Sequence, residues 1–249
     1  MFCKFSGVWK VAAAGRKVMD FALTSSQPNS GAAVSCHQLS NGYVQINLAS
    51  HSIEVQLNTL GAHNVRNALA ASAVALAAGI SLEKIKQGLE AFAPVNGRMQ
   101  IKFSDSKYTL IDDSYNANPD SVRAAIDSLK QSGGVAWLVL GDMGEVGNQG
   151  PEFHREVGAY AAEQGIAKLF SLGEQCVFAV NGFESAKTGA DSSASHFTSV
   201  ENLLSKLNEE LRSHLANGNQ HLNILVKGSR FMRMERVVQA LLEEAKTCS

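Results

Sequence analysis

Residues 108–142 read YTLIDDSYNANPDSVRAAIDSLKQSGGVAWLVLGD. The apolar start, residues 108–111, has the texture of a strand, and the chain then turns abruptly polar. Asn118 stands before Pro119, which suits a helix cap followed by a first-turn proline whose missing N–H costs nothing there. A helix is expected over residues 119–130, broken by Gly133-Gly134. Residues 135–140 are uniformly apolar, as in a strand covered on both faces. Strand, helix and buried strand in succession predict parallel strands, because parallel neighbours need a crossover between them.

The alternation continues outward. Toward the carboxyl end a helix is expected at 151–164, a strand at 167–172, a short helix at 174–181 and a polar loop at 182–195. A helix at 200–215, a strand at 222–226 and a last helix at 230–245 follow. On the amino side, residues 99–104 read as a strand paired with 108–111. The expected class is α/β, with a Rossmann-like doubly wound domain over residues 98–249 and ligands at the carboxyl ends of its strands.

Residues 1–97 differ in texture. Stretches 43–48 and 52–57 alternate apolar with polar, and the three residues between them suit a hairpin turn. A helix follows with Val65, Leu69, Ala73 and Leu76 on one face and Gly79 closing it. Ser81 can cap a second helix through residue 92, and Pro94 with Gly97 ends the region. These elements supply too few layers to cover both faces of a sheet, so a missing amino-terminal partner is expected.

Composition excludes several classes. Twenty-two basic and 23 acidic side chains give a net charge of -1, which offers no electrostatic footprint for nucleic acid or an anionic membrane. Cys3, Cys36, Cys176 and Cys248 are widely spaced and lack metal-ligand spacing, so free thiols in a reducing cytoplasm are expected. Residues 1–11 have no signal-peptide core, and the small-apolar stretch 68–80 is too short to span a bilayer. A soluble protein without membrane insertion is the expectation.

Five stretches could carry chemistry. The densest is 112–120, in which Asp112, Asp113, Ser114, Tyr115, Asn116, Asn118 and Asp120 crowd a strand-to-helix junction. A carboxylate there can hold a hydroxyl pair, and the helix start favours a nearby anion. An ordinary capped loop would need fewer polar groups. His63, Asn64 and Asn67 form the second group, at a helix start. Asn64 and Asn67 share one face, and carboxamides can both donate and accept toward an adenine edge, although caps use the same residue type. Third, Arg98 after Gly97 brings a planar fork suited to phosphate or ribose oxygens. Fourth, the run 141–147 has the glycine spacing G-x-x-G-x-x-G, which suits turn chemistry, with His154 nearby as a capping or packing histidine. Fifth, Lys227, Ser229 and Arg230 end the last strand and could cradle a carboxylate or phosphate, or simply form a basic loop. The sequence contains no G-x-x-x-x-G-K-[ST], G-x-S-x-G or H-E-x-x-H.

The stretches 61–71, 97–98, 110–121, 140–147 with His154, and 225–235 occur in an order that resembles the Mur ligase family. The likeness runs over nearly the whole chain, and 112–120 with 227–230 resemble its D-alanyl-D-alanine-adding branch. The resemblance implies a three-domain cytoplasmic monomer that uses ATP and Mg²⁺ in peptidoglycan synthesis. It would phosphorylate the carboxylate of UDP-N-acetylmuramoyl-tripeptide, and the amine of D-Ala-D-Ala would attack the acyl phosphate. By position, His63, Asn64 and Asn67 would serve the adenine and Arg98 the ribose or phosphates. Asp113 would hold the ribose hydroxyls, with Tyr115, Asn116 and Asn118 lining the same junction. Lys227, Ser229 and Arg230 would lie toward the dipeptide. The resemblance assigns no catalytic residue and no metal ligand. It casts residues 1–97 as an incomplete piece of the family's α/β central ATPase domain and residues 98–249 as its carboxy-terminal ligase domain. The uridine-nucleotide domain, P-loop and carbamylated-lysine segment would lie upstream, so this polypeptide alone is expected to show no ligase turnover. Two rivals remain open: an amide ligase of another specificity, such as folylpolyglutamate extension, and a non-catalytic nucleotide-binding module.

Overall fold

The computed structural model describes residues 14–16, 18–23, 33–38, 43–48, 51–58, 62–93, 95–144, 146–189, 191–217 and 220–247. The expectations for residues 1–11, Gly61, Cys3 and Cys248 lie outside them. Two compact units, Met1–Pro94 and Val95–Ser249, divide the chain.

In the first unit, four strands are described: β1 (Phe21–Leu23), β2 (Val34–Gln38), β3 (Tyr43–Leu48) and β4 (His51–Gln56), in that spatial order. β1 runs parallel to β2, and the other pairs are antiparallel. Helices α1 (Ala62–Ala77) and α2 (Leu82–Glu90) follow. Val65, Leu69 and Ala73, four residues apart on α1, pack on Val34, Cys36, Val44, Ile46 and Val55. Burial in this core pushes the Cys36 thiol up to about 11. The β3–β4 hairpin and both helices agree with the periodicity; β1 and β2 were not anticipated, because β1 has only three residues and β2 mixes serine, histidine and glutamine among its apolar positions.

The second unit is a six-stranded sheet. Its strands are β5 (Gln100–Ser104), β6 (Tyr108–Asp113), β7 (Val135–Gly141), β8 (Lys168–Leu172), β9 (Ser193–Phe197) and β10 (Leu222–Lys227), in the spatial order β5-β6-β10-β7-β8-β9. Only β5 is antiparallel to its neighbour; the other pairings are parallel. Side chains alternate across the sheet, so Ala136, Leu138 and Leu140 face one core while Trp137 and Val139 face another. The first face is covered by α3 (Pro119–Gln131), α4 (Gly150–Glu163) and α5 (Cys176–Ala186), the second by α6 (Val200–Asn217) and α7 (Glu235–Thr247). This is the doubly wound arrangement. No helix among the described residues is long and apolar enough to cross a membrane.

Three expectations are corrected here. The loop expected at 182–195 instead holds the end of α5 and strand β9. Gly182, expected at the start of that loop, lies inside α5, where a Cβ would sit 2.0 Å from the Arg155 carbonyl oxygen. Its role is close packing. β9 is an edge strand of sequence SASHF, and an edge needs no apolar run to signal it. The last helix does not begin at Arg230: a 3-10 turn, Arg230–Met232, precedes left-handed Arg233 (φ 50°), and α7 starts at Glu235.

The α4–α5 contact depends on backbone proximity. A Cβ at Gly158 would lie 1.8 Å from the Ala179 carbonyl oxygen, the reciprocal of the clash at Gly182. Gly158→Ala and Gly182→Ala are each expected to destabilise by about 1–3 kcal/mol. Gly88→Ala in α2, where a Cβ meets nothing within 4 Å, should instead stabilise its unit by up to about 1 kcal/mol through helix propensity. Urea midpoints of the three variants check the opposite signs.

On the second face, Glu210 of α6 is gripped by Lys168 of β8 and by Lys206 at 2.9 Å. Hydrogen bonds from Lys168 and then Lys206 lower its pKa. A lowered carboxylate pKa means that the stabilisation is fully present above the unfolded value of about 4.3 and is lost as pH falls through the folded one. Glu210→Gln should therefore cost under about 1 kcal/mol near neutrality, with the gap from the parent closing below about pH 4. Urea unfolding at a series of pH values measures it.

Candidate functional site

The register of the sheet brings together residues far apart in sequence. β10 lies between β6 and β7, and Lys227 is paired with Asp113 on one side and Leu140 on the other. Asp112 and Asp113, which read as a polar junction after the strand, are the last residues of β6, Lys227 is the last residue of β10 as the sequence implied, and all three are buried. A strand can carry these charges inward because they neutralise one another. Lys227 Nζ donates to Asp113 Oδ2 at 2.6 Å and to the Asn116 carbonyl at 2.9 Å. Asp113 Oδ1 accepts the Met99 N–H at 3.0 Å.

Ser229 extends the same network. Its hydroxyl donates to the Ala117 carbonyl at 3.0 Å and accepts the Gly144 N–H at 2.5 Å, while its own N–H reaches the Asp142 carbonyl at 3.0 Å. Strand ends β6, β7 and β10 are thus laced together. Asp112 stays within its own turn: one oxygen accepts the Ser114 N–H at 3.1 Å and hydroxyl at 2.6 Å, and the other faces Lys102 at 3.8 Å.

At the outer side of this network lie Arg98 and Tyr115, both exposed. The Arg98 guanidinium sits 4.6 Å from the centre of the Tyr115 ring, a cation–π geometry. Backbone dictates the pose. Gly97 (φ 75°) and Met99 (φ 46°) flank Arg98 in the left-handed region, which for a side chain such as Met99's costs roughly 1–2 kcal/mol. The Gly97 carbonyl accepts the Tyr115 N–H at 2.9 Å, and a Cβ at Gly97 would meet that nitrogen at 2.9 Å. Glycine is required by the approach as well as by the turn.

Other candidates are committed to local structure. The Asn118 side chain caps α3 in a reciprocal box with Ser121, and Asn116 Oδ1 accepts the Ala117 N–H at 2.9 Å. Arg230 is exposed and pairs with Glu235 at 3.2 Å, outside the Lys227–Ser229 network. In the first unit, Asn64 is half-buried and Asn67 exposed at the start of α1; the side chain of His63 lies outside the described residues. Residues read from the sequence as serving two different substrates, Asp113 on one hand and Lys227 with Ser229 on the other, therefore share one hydrogen-bonded cluster. The Met99 and Gly144 N–H groups also belong to it, and a main-chain donor leaves no mark on a side-chain pattern.

Asp142, His154 and Cys176 place ligand-type atoms within 4.8 Å of one another. Their bonds account for them. Asp142 accepts the N–H groups of Gln175 and Cys176 at the start of α5. His154 Nε2 accepts the Met143 N–H at 3.0 Å while Nδ1 faces the Gly150 carbonyl at 2.7 Å. The Cys176 thiol is pushed well up by burial and then by Asp142, which makes it a poor nucleophile. This is turn and packing chemistry.

The second unit is therefore a doubly wound α/β domain with buried polar groups gathered at its strand ends. Residues 97–230 match the family described as Mur ligase, glutamate ligase domain, and the chain belongs to the Mur ligase family. It is 35% identical over 242 residues to the UDP-N-acetylmuramoyl-tripeptide--D-alanyl-D-alanine ligase of Escherichia coli, covering 96% of this chain and 50% of that protein. The Haemophilus influenzae ligase of the same name is 39% identical over 194 residues, 78% of this chain and 40% of its own length. A crystal structure of MurF from Acinetobacter baumannii superposes with a TM-score of 0.81 at 32% identity, over 96% of this chain and 50% of that one. MurF from Thermotoga maritima in complex with ADP shares the fold, with a TM-score of 0.70 at 19% identity over 88% of this chain and 48% of that one. The chain spans half or less of the length of these relatives.

Breaking the buried pair from one side strands a charge. Lys227→Ala should destabilise the second unit by about 3–5 kcal/mol, whereas Arg230→Ala at the exposed pair should cost under about 1 kcal/mol. Chemical denaturation of both variants at neutral pH checks the contrast.

Proposed function

We propose that this chain supplies part of the nucleotide-binding and amine-receiving surface of an ATP-dependent amide ligase. The whole enzyme would join D-Ala-D-Ala to UDP-N-acetylmuramoyl-tripeptide in peptidoglycan synthesis, as a cytoplasmic monomer. The observation that carries this reading is the laced junction of β6, β7 and β10, which presents Arg98 and Tyr115 at the carboxyl ends of parallel strands. The names of the relatives supply the substrates.

In this reading the tripeptide carboxylate attacks the γ-phosphorus of ATP, ADP leaves, and an acyl phosphate forms. The dipeptide amine then attacks the acyl carbon, loses a proton and expels inorganic phosphate as the amide bond closes. Such chemistry depends on neutralising the phosphoryl charge and holding the amine against the carbonyl. Arg98 contributes a permanent cation toward phosphate or ribose oxygens, and Tyr115 a ring face beside it. Asp113 keeps unused lone pairs on each oxygen toward ribose hydroxyls, since a carboxylate accepts about four hydrogen bonds and here receives two. Asn64 and Asn67 serve the adenine, and His63 supports them. Asn116 and Asn118 shape the loop through their caps, and Ser229 and Arg230 lie toward the dipeptide.

Magnesium fits the triphosphate better than this cluster. Asp112 and Asp113 are already bonded to Ser114, Met99 and Lys227, so the ion's ligands would be phosphate oxygens and groups outside this chain.

Titrating ADP into the chain, followed by NMR, tests the reading. Shifts concentrated at Arg98, Tyr115 and Asn67 are expected, with affinity reduced about tenfold in Arg98→Ala, the loss of one charged hydrogen bond. Adding D-Ala-D-Ala should perturb Ser229 and Arg230, and D-glutamate should not. ADP shifts that avoid both asparagine and arginine, or equal responses to the two amines, would overturn it.

A further inference from the structure

We infer that Lys227 is a positioning residue that sets the pose of the Arg98–Tyr115 pair and does not itself meet a substrate. This deepens the nucleotide reading given above and rests on it for its consequence in binding. Lys227 is 3% exposed. Its ammonium has three protons, and two are directed into Asp113 and the Asn116 carbonyl. The remaining proton has only this 3% exposure through which to meet a ligand.

The connections from Lys227 lead outward along two short routes. One passes through Asp113, whose second oxygen holds the Met99 N–H and thereby the left-handed turn that follows Arg98. The other passes through the Asn116 carbonyl, one residue beyond Tyr115, while the Tyr115 N–H is tied back to Gly97. Tyr115 adjoins the Asn116 carbonyl that Lys227 holds, and Arg98 adjoins Met99, whose N–H is held by Asp113, the partner of Lys227. Ser229 repeats the device at Ala117, so β10 grips the loop at two successive carbonyls. The last strand in chain order, with Ser229 just beyond it, acts as a clamp on the loop that carries Tyr115, the ring on which the exposed arginine stacks.

The test reads the pose directly. In the parent chain, the Arg98 side-chain protons should be shifted upfield by the Tyr115 ring current, and Tyr115→Ala should abolish the shift and so calibrate it. Lys227→Met is expected to lose that shift and the slow exchange of the Tyr115 N–H, while Leu138 in β7 stays protected. Lys227→Arg, which keeps the cation, should restore part of the shift. If Lys227→Met does not fold, the double variant Asp113→Leu/Lys227→Met removes both charges and is expected to lose the shift too. An unchanged shift and Tyr115 protection in either variant overturns the inference. In ADP titrations, Lys227→Met should weaken binding about tenfold, as Arg98→Ala does, and the combined variant should be no weaker than either. Additive losses would mean that Lys227 acts on the ligand independently and would also overturn it. If Arg98→Ala leaves ADP affinity unchanged, the nucleotide reading fails, and the ring-current shift alone then decides the positioning role.

Discussion

A lysine and an aspartate meet inside the second unit because β10, the last strand in the chain, inserts between β6 and β7. The register sets Lys227 beside Asp113, and the charges can be buried only because each compensates the other. From that pair the other features of the junction follow. Asp113 can hold a strained backbone at Met99, Lys227 can hold the loop before α3, and Ser229 can reach both that loop and the end of β7.

The junction also shows how a doubly wound sheet gathers polar groups at the carboxyl ends of its strands. The ends of β6, β10 and β7 lie side by side, and their loops are tied by the side chains of Lys227 and Ser229 bonded to main-chain carbonyls and an N–H group. Side chains of the loop that looked available for ligands are in part used at home: Asn118 and Asn116 stabilise the start of α3 and its approach. What faces outward is narrower than the polar count of the loop implies, chiefly Arg98 stacked on Tyr115. Membership of the Mur ligase family gives that small surface a chemical context, and the chain spans half or less of the length of the relatives it matches.

Much of the architecture was legible from local pattern. Residues 135–140 had to be a strand covered on both faces, and Asn118-Pro119 had to open a helix, because apolar continuity and capping chemistry act over a few residues. Failures came where the deciding neighbour was remote. Gly182 reads as the start of a polar loop until the Arg155 backbone packs against it, and β9 has no apolar signal because an edge strand needs only one partner. Arg233 turns left-handed with neither glycine nor asparagine to announce it.

The sequence by itself determined the α/β class, the crossover from β6 through α3 to β7, and the concentration of polar groups after β6. These follow from periodicity and from caps that bond to their own neighbours. Only the tertiary structure decided that Asp113 and Lys227, 114 residues apart, are one buried pair, and that residues assigned to separate substrates belong to a single network. Strand order is chosen by which faces the whole sheet can cover and which charges it can neutralise, and no short stretch of chain contains that information.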